Sequence, residues 1–197
     1  MRRLLLGILL FPFVILGVDS LEPKEEYTEP TIVEKEQIAE PETTKRWVCE
    51  DCTENEKIVL EFLQEERGIK DKVALSVIMG NIKQESKFHP NICEGGARVP
   101  YHHCHRGGFG LIQWTTLGRY TGLGRFANRL GGDPTDLHTQ LGWMVSETEW
   151  RKVEHIFKTP GLSQGAYMNA AYRWLGWGVH GERTTYSNQY MNRLVQV

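Results

Sequence analysis

Hydrophobic residues recur at helical spacing over most of the chain beyond residue 53, and several apolar stretches begin just after a residue that can cap a helix. The widest apolar stripe runs from Val73 to Ile82 behind the potential cap Asp71, and it predicts a helix buried along one side. The pair His89-Pro90 is expected to end this helix, because the residue before a proline disfavours helical backbone. Further helices are predicted behind the capping box Thr53-Glu54-Asn55-Glu56, over residues 117–130 with interruptions at Gly122 and Gly124, behind Asp136, behind Ser163, and over residues 183–194.

A segment with a different pattern separates two of these helices. Residues 90–108 are rich in turn-forming residues, and the run from Gly108 to Ile112 favours a short extended piece. The predicted fold class is therefore α+β and mostly α, a helical domain with a small β element.

The N-terminal part of the chain has no helical domain pattern. Met1-Arg2-Arg3 precedes an apolar stretch over residues 4–18, which predicts a signal peptide or a membrane anchor at residues 1–18. Residues 19–52 are rich in Glu, Pro and Thr and predict a disordered acidic linker. The domain is expected at residues 53–197, in a protein that is exported to the periplasm or the extracellular space, or is membrane-anchored.

Charge is distributed unevenly between these parts. The whole chain carries 23 Lys and Arg against 25 Asp and Glu, yet the acidic residues concentrate in the linker and leave the domain mildly basic. Such a surface suits an anionic polymer such as a bacterial wall, although a charge difference this small is more often that of an ordinary solvated surface. A nucleic-acid partner is not predicted, since the sequence has no zinc finger, basic helix or Gly-rich phosphate loop.

Four cysteines occur, as Cys49-x-x-Cys52 and as Cys93 and Cys104. Disulfides are expected in an exported chain, and the favoured pair is Cys93 with Cys104. Zinc is the rival interpretation, because thiolate and imidazole together bind zinc well. The histidines that could take part are His89, His102, His103 and His105. A redox role for the Cys49-x-x-Cys52 pair is weaker, because no strand-to-helix turn is predicted there.

Glu85 is the residue with the clearest candidate chemistry. It stands three positions after Ile82, at the end of the apolar stripe, so it falls on or beside the buried face. Burial can raise the pKa of a carboxyl toward about 6, which allows it to donate a proton near neutral pH. The alternative is a solvated carboxylate at a helix end, or a partner of Lys87.

A set of motifs in a fixed order gives this carboxyl a context. Gly80-Asn81-Ile82-x-x-Glu85-Ser86 is followed by Gly110-Leu111-Ile112-Gln113-Trp114, then by Asp136-Leu137-x-x-Gln140-Leu141 and Glu147. This order resembles the phage tail lysozyme family, a branch of the lysozyme-like fold related to goose-type lysozymes and soluble lytic transglycosylases. The resemblance covers roughly residues 56–194.

The resemblance implies the function and the site. It implies that Glu85 is the catalytic acid, that the Gly-Leu-x-Gln run lines a sugar cleft, and that the substrate is bacterial peptidoglycan. It also implies a phage or prophage source, with association with a phage tail as a possible consequence. The run Asn169-Ala170-Ala171-Tyr172 resembles, more loosely, an Ala-Tyr-Asn run of transglycosylases, with Arg173 in place of the Asn.

Substrate contacts are expected from a small set of residues, and this chemistry requires no metal or cofactor. Trp114 is equally compatible with a place in the core. A second carboxylate would distinguish retaining from inverting hydrolysis, and Glu94 is the foremost candidate. Asp133 and Asp136 suit turn and cap roles, and Glu147 suits a pair with an arginine. Without a second carboxylate, the sugar's own 6-hydroxyl attacks, as in lytic transglycosylases. The expected substrate-binding residues are Ser86, Gly110, Gln113, Trp114 and Tyr172.

Two other functions remain open at this point. One is a non-catalytic module that binds the wall or serves as part of a phage tail. The other is a wall peptidase or amidase with Cys104 or Cys93 as nucleophile and a nearby histidine as base.

Overall fold

Side-chain caps fix the beginnings of the long helices. The computed structural model describes residues 45–105 and 107–197. These residues form eight α-helices, and the predicted caps Thr53, Asp71, Asp136 and Ser163 each accept a hydrogen bond from a first-turn amide. The helices are α1 (Glu54–Glu65), α2 (Lys72–Ser86), α3 (Leu117–Leu130), α4 (Leu137–Ser146), α5 (Thr148–Arg151), α6 (Glu154–Lys158), α7 (Gln164–Leu175) and α8 (Arg183–Arg193). The predicted mostly helical fold class is confirmed.

Helix α2 forms the centre of the core and packs against α8 and α7. Its residues from Ala74 to Ile82 are all buried. Gly80 lies at the closest approach of α8: a Cβ atom at this position would stand 2.5 Å from the backbone nitrogen of Ser187. A residue without a side chain is therefore needed where the two helices meet.

The end of α2 differs from the prediction. The helix stops at Ser86, before His89-Pro90, because Lys87 and Phe88 both adopt left-handed backbone with φ of 51° and 62°. Phe88 is 1% exposed, and its carbonyl accepts a hydrogen bond of 2.8 Å from the Asn55 side chain. The turn is thus held by burial of an aromatic ring, a contact with no local sequence signal.

Helix α3 is continuous, so the predicted interruptions at Gly122 and Gly124 are wrong. A Cβ atom at Gly122 would lie 2.3 Å from the Trp143 ring, and one at Gly124 would lie 2.8 Å from the Tyr101 hydroxyl. Both glycines serve close packing within a helix rather than a break in it.

The β structure is small and lies in two places. Strands β1 (Trp47–Val48) and β2 (Val195–Gln196) pair in antiparallel register, with Trp47 opposite Gln196. Single bridges join Cys93 to Phe109 and Phe109 to Trp114. Within the 108–112 run, Phe109 forms these bridges while residues 110–112 lie in a turn, so the predicted extended piece is wrong beyond Phe109.

The predicted linker extends too far toward the domain. Residues 47–52 belong to the folded unit, since β1 pairs with β2 and a disulfide joins Cys49 to Cys52. This disulfide lies between β1 and the cap of α1, so the pair does occupy a strand-to-helix turn, contrary to the prediction. The predicted leader at residues 1–18 and the linker up to residue 44 lie outside the described residues. Within the described part of the chain, none of the helices combines the length and apolar character that a membrane crossing requires.

The second disulfide is the predicted one between Cys93 and Cys104. It closes the loop that leads into the 108–114 turn. All four sulfur atoms are held in disulfides, and zinc binds thiolate rather than disulfide sulfur. The zinc site built on these cysteines is therefore wrong.

The buried carboxylate of Glu56 joins α1 to α8, and from its contacts we expect the stability of the fold to decrease at acidic pH. Glu56 is 6% exposed and accepts hydrogen bonds from the Tyr190 hydroxyl, the Thr53 amide and Arg193. Burial alone would raise the pKa of Glu56, but these donors and the Arg193 charge outweigh it and hold the pKa below its usual value. Stability from Glu56 is therefore present above its unfolded pKa of about 4.3 and is lost as the pH falls through the lower folded pKa.

We expect Glu56→Gln to be less stable than wild type by about 1 kcal/mol at pH 7, because charge-assisted hydrogen bonds become neutral ones. The difference should shrink toward pH 3. Urea unfolding of both chains at several pH values measures this, with the exposed Glu66→Gln as the matched control. A difference that is constant with pH would contradict the role of the carboxylate charge.

Candidate active site

Glu85 is the penultimate residue of α2, and its side chain is 15% exposed. Burial raises the pKa of Glu85 above its usual value, while the positive charges of Arg183 and Arg119 oppose the rise without cancelling it. The carboxyl is therefore largely desolvated, while part of the side chain remains exposed. This is the environment that the sequence predicted for a proton donor.

Arg183, the first residue of α8, is the direct partner of Glu85. Its Nη2 donates to Glu85 Oε1, and its Nη1 donates to the carbonyls of Val179 at 3.1 Å and His180 at 2.8 Å. The guanidinium also lies 4.4 Å from the centroid of the Trp177 ring. It is 4% exposed, and its Nε is buried with no hydrogen-bond partner. The charge beside Glu85 is thus held rigidly.

Sequence reasoning missed Arg183. It stands 98 residues from Glu85, in a stretch with no recognisable motif. The one indirect signal was Gly80 within an otherwise large apolar stripe, which indicates close approach by another helix but does not identify it.

Tyr172 on α7 is connected to Arg183 through the Trp177 ring. Its side chain is 52% exposed, and its ring contacts Trp177 edge-on with centroids 5.3 Å apart. Trp177 in turn carries the Arg183 guanidinium. An exposed aromatic surface therefore adjoins the charged groups of the site.

Ser86 has a structural role rather than the predicted contact with substrate. It is 2% exposed, and its hydroxyl donates to the Leu111 carbonyl at 2.7 Å. The Leu111 amide donates to the fully buried Gln140 side chain at 2.7 Å. The Leu111 carbonyl and amide are thus both hydrogen-bonded to side chains, and these two bonds fix the Gly110–Trp114 turn against the end of α2.

Gly110 and Gln113 shape this turn. Gly110 has φ of 75°, and a Cβ atom there would lie 2.7 Å from the Gln140 amide group, so its buried position serves close packing rather than the predicted contact with sugar. Gln113 also has positive φ, at 52°, and its side-chain amide donates to the Gly110 carbonyl at 3.1 Å. Gln113 is half-buried and remains a candidate for substrate binding.

Trp114 is a core residue, so its predicted contact with sugar is wrong. The ring is 0% exposed, and Nε1 donates to Glu147 at 2.9 Å. Glu147 is held by two further hydrogen bonds from Arg119, of 2.7 and 2.8 Å. The alternative pairing of Glu147 with an arginine is confirmed.

The comparison with known families decides the identity of this arrangement. A family model described as phage tail lysozyme matches residues 54–194. The chain belongs to the phage tail lysozyme family. No curated protein and no solved structure matches the chain.

Family membership confirms the resemblance and indicates a lysozyme-like role on bacterial peptidoglycan. The phage tail context fits a protein that acts as part of the virion or outside the cell. The match to the phage tail lysozyme model begins at the first residue of α1 and ends one residue after α8. It therefore includes both Glu85 and Arg183, whereas β1 and the Cys49–Cys52 disulfide precede it.

The other candidate carboxylates of the chain have different roles. Asp136 caps α4 through the Thr139 amide at 2.7 Å, and Asp133 accepts the Thr135 amide at 2.7 Å, which confirms the predicted cap and turn roles. Glu94 is exposed and accepts the Gly108 amide at 3.1 Å. With Glu147 committed to Arg119, Glu94 is the remaining candidate for a second carboxylate.

The cysteine-based peptidase hypothesis requires a free thiol at Cys93 or Cys104. Cys93 and Cys104 are joined to each other, and a disulfide sulfur is not a thiolate. The peptidase hypothesis is therefore wrong for the disulfide-bonded chain.

Proposed function

We propose that this phage tail lysozyme cleaves the glycan strands of peptidoglycan with Glu85 as the general acid. The observation that carries the proposal is the desolvated Glu85 carboxyl at the end of α2, with its raised pKa and a side chain that is still 15% exposed. Cleavage of a glycosidic bond requires a proton on a poor leaving group, and a carboxyl with a raised pKa supplies it near neutral pH.

The proton and the electrons can be followed through the reaction. Glu85 donates its proton to the glycosidic oxygen, which takes the electron pair of the breaking bond to the anomeric carbon. An incoming oxygen then bonds to the anomeric carbon in place of the leaving group. If that oxygen comes from water, the product has a reducing end; the proton of the water passes to the Glu85 carboxylate in a retaining course and to the second carboxylate in an inverting one. If it comes from the sugar's 6-hydroxyl, Glu85 takes the hydroxyl proton and the product has an anhydro end.

Hydrolysis and transglycosylation differ in whether they need a second carboxylate. Hydrolysis with retention or inversion uses a second carboxylate, at separations of about 5 Å or about 6.5 to 9.5 Å respectively. Glu94 is the candidate for that role. Attack by the 6-hydroxyl needs no such group, so Glu94→Gln is expected to abolish hydrolysis but to spare transglycosylation.

Mass spectrometry of peptidoglycan fragments released by the full chain tests the proposal. Reducing ends identify a hydrolase, and anhydro ends identify a lytic transglycosylase. Cut peptides on intact glycan strands would contradict glycan cleavage. Folded protein that binds the wall but releases no fragments would favour the non-catalytic binding module.

Tyr172 is proposed as a sugar-binding surface because its ring is exposed beside Trp177. We expect Tyr172→Ala to raise KM about tenfold, which corresponds to a loss of about 1.4 kcal/mol of binding, with kcat little changed. Turbidity assays on cell walls at several substrate concentrations measure this. Leu130→Ala removes an apolar side chain that is 65% exposed at the far end of α3 and should leave KM unchanged. An equal change in both variants would count against a specific contact.

A further inference from the structure

We propose that Arg183 is a positioning residue for the reaction: it fixes the Glu85 carboxyl and sets the pH range over which that carboxyl gives up and recovers a proton. This inference rests on the proposed role of Glu85 as general acid.

The contacts of Arg183 leave its guanidinium no freedom to move away from Glu85. One end donates to Glu85 and the other to two backbone carbonyls, while the Trp177 ring covers a face. An arginine keeps its charge at every pH at which proteins are folded. The carboxyl therefore has a permanent positive neighbour in a fixed orientation.

Helix α2 also holds in place the start of α8, where Arg183 lies. Gln84, the residue before Glu85, accepts the Glu182 amide at 2.8 Å through its side chain. Gly80, one turn earlier, allows α8 to approach α2 closely. Gly80, Gln84 and Glu85, all on α2, thus determine how the Arg183 guanidinium is placed against the Glu85 carboxyl.

Two opposing effects act on Glu85, and Arg183 supplies one of them. Burial favours the protonated carboxyl, whereas the arginine favours the carboxylate. Among the described residues, the other charge that acts on Glu85 is Arg119 at the start of α3, and it is already paired with Glu147 through two hydrogen bonds. The titratable groups beside Arg183 are His180, whose carbonyl binds the guanidinium, and Glu182, whose amide binds Gln84.

This balance suits a group that must act first as an acid and then as a base. When the proton passes to the glycosidic oxygen, a carboxylate remains in a desolvated position. Arg183 neutralises that charge where it forms, without any rearrangement at the moment of reaction. The carboxylate then recovers a proton from water or from the 6-hydroxyl.

The pH profile of kcat/KM for Arg183→Gln tests the inference. Glu85 must be protonated to act as an acid, so activity is lost as the pH rises through its pKa. Removal of the Arg183 charge raises that pKa, and we expect the alkaline limb to move up by about one pH unit or more. Arg183→Lys keeps the charge and should keep the limb near its wild-type position, while Arg129→Gln, an exposed arginine on α3, should leave the profile unchanged.

The position of a limb does not depend on how much of a variant is folded, so partial unfolding does not mimic the expected shift. A lower rate with an unshifted limb would overturn the inference and leave Arg183 a purely structural residue. The inactivity of Glu85→Gln would then still support the proposed function. If Glu85→Gln were fully active, the proposed function itself would fail.

A second measurement uses the wild-type chain, in case Arg183→Gln does not fold. The NMR signals of the Arg183 guanidinium should change with pH at the same midpoint as the Glu85 carboxyl carbon, because the two groups share hydrogen bonds. No such change is expected in Glu85→Gln. Arginine signals that are independent of the Glu85 titration would overturn the inference.

Discussion

Glu85→Gln is expected to lower the rate of glycan cleavage by about 10² to 10⁴-fold, the usual contribution of a general acid. The amide has nearly the same shape as the carboxyl and can still accept the hydrogen bond from Arg183, but it cannot give up a proton. Release of soluble fragments from purified walls measures the rate. Glu66→Gln makes the same chemical change at an exposed position and should retain wild-type activity.

The loss must be separated from a loss of folded protein. Glu85→Gln leaves the buried Arg183 charge without a counter-charge, and unpaired buried charges are destabilising. The double variant Glu85→Gln with Arg183→Gln removes both charges and should recover some of that stability while remaining inactive. Activity in the double variant would contradict the role of Glu85 as the proton donor.

Trp114→Ala is expected to lower the free energy of unfolding by about 3 to 5 kcal/mol, because a fully buried ring is removed from the core. The change also removes a hydrogen bond to Glu147, which remains buried with Arg119. Trp114→Phe keeps most of the volume and should cost about 1 to 3 kcal/mol through the lost donor alone. Urea unfolding measures both variants.

Tyr172→Ala is the matched comparison for Trp114, since it truncates an aromatic ring that is 52% exposed. It should change KM with little effect on stability, whereas Trp114→Ala should change stability with little effect on KM of the folded fraction. A specific rise in KM for Trp114→Phe at unchanged stability would restore Trp114 as a sugar contact.

The parts of the fold that depend on local chemistry could be predicted from the sequence. Thr53, Asp71 and Asp136 mark helix starts because a cap bonds to amides three residues away. The place of Glu85 beside a buried face follows from the helical period in the same way. The pairing of Cys93 with Cys104 was also within reach, because the two residues share one loop.

Contacts between distant segments could not be predicted. The partner of Glu85 lies on another helix, and the roles of Ser86 and Trp114 depend on which groups meet them in the core. A motif indicates that a set of residues is needed at one place in the fold, but it does not show whether each of them contacts a ligand or packs against the rest of the protein. In this chain Ser86 and Trp114 serve the second purpose.

The position of Arg183 on the last helix has a consequence for how the enzyme is made. Glu85 and Arg183 are 98 residues apart, and contacts of such long range form late in folding because the intervening chain must first be closed into a loop. A ribosome that has completed α2 has not yet synthesised α8. The nascent chain therefore has Glu85, the proposed proton donor, long before it has the counter-charge, and the proposed site is assembled only after nearly all of the chain has emerged.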